Sequence, residues 1–581
     1  MFKFIKSMMW FVKKKWYRYL FVLFFGLLYI AFNLMPATII SELTAGIENG
    51  IVTKDFLIYD ILIPFILIVV GFYLVATFKR LSQNRLTTTL YFALHSRYME
   101  QILSQDATFF ETFKSGDLLT RALGDINSVK FSGGNRLISL FLEMTSVIAI
   151  FIAMCFINLP LAVCCFIPLT LIFITNLILK AKVKRNYKIV REKSSEMGNV
   201  VLESITNVRT VRAFSKEDEN YEKNLKYSQI TYDVEKANLK INVIFQPMFQ
   251  SIVAVSTIIC YGLGAYFYSI NKITIPELIQ FVMYLGLFQS PLTNIGNIIN
   301  NFYQSLISAD RLNEVYNSKS KVLDYNDAEV LENVDKIEFK NFSFRYDGDE
   351  FDVLKNIDLT IKRGQTIGVV GHTGSGKTTL VKQLVRQLPI NEGTLYINDD
   401  PIESFEQETV RSRVGYVPQE HVLFSRSVEA NVALGGVDPS DEEIANAIAL
   451  ADFEKDIENL PDGLATIVGE YGVTLSGGQK QRLGIARAFL RDADVLILDD
   501  SLSAVDGKTE ANIISTLKKH RSNKTNIIVA HRLSSVMHAD EIIVLEEGRI
   551  VERGKHEDLM DLKGWYYEQF ILQQMNSKEG E

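Results

Sequence analysis

The chain has only four cysteines, Cys155, Cys164, Cys165 and Cys260, and none in residues 261–581. No metal-ligand spacing or paired framework links them, so neither a zinc site nor a disulfide scaffold organises the fold, and the four read as small apolar residues. A cysteine-free second half is compatible with a reducing compartment. A basic excess is also missing. Lys and Arg number 61 against 68 Asp and Glu, a net charge of −7, which leaves no spare positive surface to neutralise nucleic-acid phosphates. This argues against a nucleic-acid partner. Lysines precede an apolar run at the start of the chain, but no small-residue cleavage site occurs before Asn33. The run therefore reads as a retained span and not as a removable leader.

Apolar residues, by contrast, are plentiful and uneven. They make up 48% of the chain beside 22% charged residues, and the apolar stretches crowd residues 17–300 while the remainder reads as a soluble α/β domain. A chain of 581 residues is too long for one domain and suits a membrane half followed by a soluble half. A spanning helix needs roughly 20 predominantly apolar residues. Six segments qualify, at about 17–39, 56–78, 138–157, 160–180, 243–268 and 275–299. Lys13, Lys14, Lys15 and Arg18 precede the first; Lys79, Arg80 and Arg85 follow the second; Lys180, Lys182, Lys184 and Arg185 follow the fourth. The opposite side has only Lys54 and Lys272 as basic loop residues. That asymmetry puts both termini and the soluble half in the cytoplasm. The long connections after the second and fourth spans are expected to continue those helices below the bilayer.

Polar residues inside spans are costly and need a reason. Glu143 in the third span is read as a substrate residue in a cavity that favours cations; helix–helix hydrogen bonding, or a place at the cytoplasmic water layer, is the alternative. Gln246, Gln250, Gln280, Gln289 and Asn294 read first as residues that hydrogen-bond between helices.

In the soluble half the strand Thr366–Val370 runs into Gly371-His372-Thr373-Gly374-Ser375-Gly376-Lys377-Thr378-Thr379, with a helix after it. This is a phosphate-binding loop in the context it requires. The glycines, Ser375, Thr378 and Thr379 turn backbone N–H groups inward, and the helix start adds positive potential. Lys377 reaches the β- and γ-phosphates, and the Thr378 hydroxyl joins a magnesium shell. A buried strand, Val495–Leu498, ends in Asp499-Asp500, and Asp499 is the candidate magnesium carboxylate. ATP and Mg2+ are the expected cofactors.

The run Leu475-Ser476-Gly477-Gly478-Gln479 resembles the signature motif of ATP-binding cassette (ABC) proteins. Ser476 offers a hydroxyl, Gly477 and Gly478 bare their amides, and the following helix points its positive end outward. The resemblance covers nearly the whole chain and is to the exporter type: six membrane helices with long cytoplasmic extensions (1–315), a linker (316–334) and an α/β P-loop NTPase cassette with an inserted helical subdomain (335–575). In this family a nucleotide site is shared between two cassettes, so one signature and one phosphate loop per chain imply a partner. The resemblance further implies that Tyr346 stacks on adenine, that Gln419 contacts magnesium or water, and that His531 is the switch histidine near the γ-phosphate. Ser501–Asp506 would meet the other cassette, and Glu470 would contact a coupling element. Phe109-Phe110-Glu111 through Asp125, and Glu203 through Glu217, are similar to the exporters' coupling segments.

The sequence departs from the family at one residue. Asp500 stands where a glutamate normally polarises the attacking water. The side chain is one methylene, about 1.5 Å, too short for a reaction that depends on positioning. A complete signature beside a shortened base resembles one member of the bacterial heterodimeric multidrug exporters. This implies a second half-transporter with the proper glutamate, a hydrophobic or amphipathic cargo, and slow hydrolysis at this chain's own site. A lipid flippase or peptide exporter would share every cassette motif. In the different-class alternative the chain is an ATP-binding regulatory subunit with little turnover.

Overall fold

The computed structural model describes residues 2–325, 327–391, 393–469 and 474–579, and omits side chains at 171–188, 244–250 and a few further helical positions. It resolves into two compact units. One comprises Met1–Ile102 with Gly116–Asn317, the other Leu103–Ser115 with Ser318–Glu581.

The first unit is helical. Its longest helices, Leu159–Thr206 and Glu217–Ser269, have 48 and 53 residues. At 1.5 Å per residue the longer spans about 80 Å, well over the roughly 30 Å of a bilayer's hydrocarbon, so the expected extensions are present. Among the described residues four helical stretches are long and apolar enough to cross a membrane: Phe4–Glu48, Phe56–Leu103, Ser115–Ile157 and Ser251–Ser269. The fourth expected span begins in the apolar helix Leu159–Thr170, beyond which side chains are outside the description. The sixth, expected as one piece over 275–299, is two helices, Ile275–Leu287 and Gln289–Asn317. Pro291 explains the break, because it has no N–H to return to the Leu287 carbonyl. Thr274 and Glu277 form a capping box that starts the first of the pair. Where the helices meet, Phe281, Tyr284, Leu285 and Phe288 are buried with Cys165 and Cys260, and all four cysteines are free thiols.

The segment read as the first coupling element divides between the units. Asp106 caps the helix Ala107–Thr112 through the Thr108 and Phe109 N–H groups. Its carboxylate also accepts from Ser320 Oγ at 3.0 Å and from the Lys321 N–H at 2.5 Å. Asp117 to Asp125 instead belongs to the helical unit. Buried Arg121 donates to Asp117 at 2.7 Å and Glu314 at 2.9 Å, Arg311 bridges Asp117 and Asp125, and Tyr98 Oη donates to the Leu118 carbonyl at 2.9 Å. The second segment includes the short helix Val208–Ala213, which buries no residue, and Phe214 beside it is 73% exposed.

The second unit holds a six-stranded sheet. Its spatial order is Arg549–Gly554, Glu541–Glu546, Thr366–Gly371, Thr525–Val529, Val495–Asp499 and Val414–Val417. All but the first strand are parallel to their neighbours. Every residue of Val495–Asp499 and Thr525–Val529 is buried, each large aliphatic side chain contributing about 2 kcal/mol of burial. A smaller antiparallel sheet pairs Lys336–Phe344 with Leu354–Lys362. The strand Lys336–Phe344 has register shifts after Phe339 and Phe342. Asn341 at φ +48° absorbs the irregularity. Helices Val428–Ala433, Asp441–Leu450, Glu454–Glu458 and Gly477–Arg491 form the expected helical insertion.

Candidate functional site

The phosphate loop is built at the end of the strand Thr366–Gly371, where parallel strands leave their last backbone groups free to turn. Gly371, Gly374 and Gly376 have φ of +143°, +85° and +101°. At Gly371 a side chain is also sterically impossible, since a Cβ would lie 2.1 Å from the Leu545 carbonyl oxygen. Lys377 opens the helix Lys377–Leu384, and its ammonium donates to the carbonyls of Gly371 at 3.0 Å and His372 at 2.8 Å. Burial lowers its pKa, partly offset by the Asp500 and Asp499 carboxylates. Ser375 Oγ is buried in the same loop without a hydrogen-bond partner among the described residues. Amides, an ammonium and an orphaned hydroxyl converging on one turn fit a polyphosphate.

Two neighbouring helix residues tie the loop to its surroundings. Thr378 Oγ1 donates to Asp499 Oδ1 at 3.0 Å. Thr379 Oγ1 lies 3.2 Å from Tyr346 Oη, so the aromatic expected at the base stands beside the loop; Phe344 packs edge-on against its ring. Asp499 is fully buried at the end of its strand. Burial pushes its pKa up, opposed by hydrogen bonds from Thr378 and Tyr416. The Tyr416 bond, Oη to Oδ2 at 3.1 Å, was not legible in the sequence. It leaves one carboxylate oxygen shared with Thr378 and the other held by a phenol.

Asp500 follows with its backbone in the left-handed region, φ +49°, a conformation aspartate tolerates better than most residues. Its N–H donates to the Val529 carbonyl at 2.9 Å. Asp500, Ser501, Ser503, Ala530 and His531 line a narrow cavity, so the Asp500 carboxylate and the histidine expected as the switch share one space. Gln419 is exposed just past the strand Val414–Val417.

The signature is assembled differently. Ser476 caps the helix Gly477–Arg491, its Oγ accepting from the Gln479 N–H at 3.3 Å while its N–H donates to Gln479 Oε1 at 2.9 Å. Gln479 Nε2 also reaches Asp456 at 3.1 Å. Gly478 packs so tightly that a Cβ would lie 2.9 Å from the Ala504 carbonyl oxygen. Three residues on, Gln481 accepts from the Ala504 N–H at 2.9 Å. These contacts run to Asp456 and to the Ser501–Asp506 loop. Among the described residues no hydrogen bond joins Ser476–Gln479 to the phosphate loop of the same chain. The structure thus brings together Tyr346, the phosphate loop, Thr378, Asp499, Asp500 and His531, and does not bring the signature to them. Glu470 lies outside the described residues.

The C-terminal helix Trp565–Glu579 supplies two supports with no signal in the sequence. Trp565 Nε1 donates to His372 Nε2 at 2.7 Å, and Gln573 grips the His531 loop. Within the membrane unit, Glu143 Oε1 accepts from Asn294 Nδ2 at 2.9 Å, and Gln280 donates to Tyr284 Oη at 3.1 Å. The Gln246 and Gln250 side chains lie outside the description.

Comparison with known proteins matches two family models along the chain. Residues 15–292 match the family described as ABC transporter transmembrane region, and residues 354–503 the family described as ABC transporter. The chain is 36% identical to the Bacillus subtilis (strain 168) protein named "Probable multidrug resistance ABC transporter ATP-binding/permease protein YheI", over 100% of this chain and 99% of that one. It is 32% identical to a protein of Syntrophus aciditrophicus (strain SB) named "ATP-dependent lipid A-core flippase", over 84% and 81% of the two chains. A solved structure of a bacterial Atm1-family ABC exporter with ATP bound superposes with a TM-score of 0.82 at 23% identity, covering 97% of this chain and 98% of that one.

Proposed function

The chain belongs to the ABC transporters, an exporter-type half-transporter whose transmembrane region and ATP-hydrolysing cassette share one polypeptide, and from that premise we propose that it works as the slow-site half of a heterodimer that exports hydrophobic or amphipathic compounds. One observation carries the reading: a complete signature, Ser476–Gln479, coexists with Asp500 in the position of the water-activating glutamate. The drug-resistance and flippase names of the relatives favour an apolar cargo taken from the membrane or cytosol.

Two further features support pairing. The signature makes its contacts away from its own phosphate loop, and the helix Val208–Ala213 with Phe214 presents uncovered apolar surface suited to packing on a second cassette. In the proposed site Lys377 and the loop amides hold the ATP phosphates. Thr378 and Asp499, with Gln419 at the rim, are the oxygen donors for Mg2+, which when bound neutralises charge on the β- and γ-phosphates. Asp500 and His531 face the place where water would attack, but the Asp500 carboxylate falls about 1.5 Å short of a glutamate's reach. The partner's carboxylate, with Ser476 to Gln479 lent across the interface, then does most of the hydrolysis. ATP binding draws the cassettes together, and hydrolysis lets them part, switching the cavity between faces. By this reading both termini and the cassette are cytoplasmic.

The test is ATPase and vesicle transport by the co-expressed pair. Replacing the partner's glutamate should lower turnover at least tenfold, while Asp500→Asn should change it less than twofold. Asp500→Glu should raise turnover at this chain's own site. Equal sensitivity of the two carboxylates would rule out the division of labour, and nucleotide binding without transport would favour a regulatory subunit.

A further inference from the structure

The membrane unit contains a charged group that the nucleotide machinery does not use. Glu143 accepts a hydrogen bond from Asn294 at 2.9 Å, and among the described residues no ammonium or guanidinium lies within the 4.0 Å of an ion pair. The Lys79 ammonium is lodged against an aromatic ring instead, 4.2 Å from the Tyr29 centroid, in a cation–π contact. The helix of Tyr29 packs on the helix of Glu143, where the Leu142 side chain closes on Gly26, and the Tyr29 ring leans on Phe72 with centroids 5.0 Å apart. Four helical segments therefore converge: Tyr29 from the first expected span, Lys79 from the end of the second, Glu143 from the third and Asn294 from the sixth.

A carboxylate near packed aromatic rings is the chemistry that holds an organic cation. Here a cation is already present, carried on a flexible four-carbon stem. A carboxylate in an expected span is costly without a countercharge, and Lys79, lodged on the Tyr29 ring, is a cation of the same chain that can answer it. We propose that Lys79 is a tethered competitor, which occupies the Tyr29 face near Glu143 until an amphipathic organic cation displaces it. The inference rests on the reading of the chain as an exporter of amphipathic compounds. It adds that the Tyr29–Glu143 subsite selects for positive charge and is filled by a residue of the chain between cargo molecules. Exchange of one cation for another leaves the local charge unchanged, whereas an anion of the same shape would leave Lys79 as its only attraction.

The probes are tetraphenylphosphonium and its isosteric anion tetraphenylborate, with equilibrium binding measured on the assembled transporter in lipid nanodiscs. Lys79→Ala should bind tetraphenylphosphonium at least threefold more tightly, and Glu143→Gln at least tenfold more weakly. The double variant should match Glu143→Gln alone, because a competitor without a contested site has no effect. Lys79→Arg, which keeps the cation, should stay within twofold of the parent. Tetraphenylborate should not gain from Lys79→Ala. ATP binding by every variant reports that the protein is folded. If Lys79→Ala leaves tetraphenylphosphonium affinity unchanged or weakens it, the competitor is overturned while Glu143 keeps its place on the cargo path. If Glu143→Gln leaves that affinity unchanged, the subsite itself is wrong, and export of other cargo by the same pair would still stand.

Discussion

Gln573 holds the His531 loop from both sides, its Nε2 donating to the His531 carbonyl at 2.9 Å and its Oε1 accepting from the Leu533 N–H at 2.9 Å. The pair fixes His531 beside Asp500 from a side chain 42 residues downstream. Gln573→Ala should cost about 1–2 kcal/mol of cassette stability and slow ATP hydrolysis several-fold with little change in ATP affinity. Thermal unfolding and steady-state kinetics check this, and a parallel loss of affinity and turnover would reduce Gln573 to a fold support.

Gly477 and Gly478 should respond differently to alanine. A Cβ at Gly477 would sit 3.6 Å from Ala504 Cβ, an ordinary contact, whereas one at Gly478 would sit 2.9 Å from the Ala504 carbonyl oxygen. Gly478→Ala must shift the signature helix against the Ser501–Asp506 loop, at a cost of roughly 1–3 kcal/mol. Gly477→Ala should leave unfolding within about 0.5 kcal/mol of the parent. Denaturation of the two variants side by side decides the point.

Arg121 is 7% exposed and serves Asp117 and Glu314 at once. Its carboxylate partners are half-exposed, which softens the penalty for stranding them. Arg121→Ala should destabilise the helical unit by on the order of 2 kcal/mol, and Arg121→Lys should recover only part of that because it cannot reproduce the fork. Unfolding of the detergent-solubilised transporter measures both.

The phosphate loop, the signature and the strand ending in Asp499 were readable because each is a local pattern of consecutive residues whose backbone dictates its chemistry. Tyr346 could be placed by its offset from Gly371, but not its hydroxyl contact with Thr379. What escaped the sequence is held together over long separations. The Trp565–His372 bond, the Gln573 grip and the Tyr416–Asp499 bond join residues that no periodicity relates. Arg311 and Glu314 meet Arg121 some 190 residues apart, and a segment read as one coupling element divides between the two units. The sixth span looked continuous by hydropathy, which does not register the N–H missing at Pro291.

Asp106 gives the account a pH dependence. Burial raises its pKa, but hydrogen bonds from Thr108, the Lys321 N–H and Ser320 outweigh that and hold it below the ordinary carboxylate value. The folded pKa is thus lower than the unfolded one, about 4. The stabilisation is complete above the unfolded value and is lost as pH falls through the folded value. Asp106→Ala should therefore be less stable than the parent at neutral pH, and the gap should close in acid. A gap that stays constant from pH 7 to pH 3 would contradict the assignment.

The most direct measurement is ATP hydrolysis and cargo uptake by this chain purified alone and reconstituted in vesicles, against the same chain reconstituted with its partner. Turnover near background is expected for the single chain, with at least a tenfold rise, and transport, once the partner is present. Brisk hydrolysis and transport by the single chain would contradict it, because Asp500 would then be sufficient as the water-activating carboxylate.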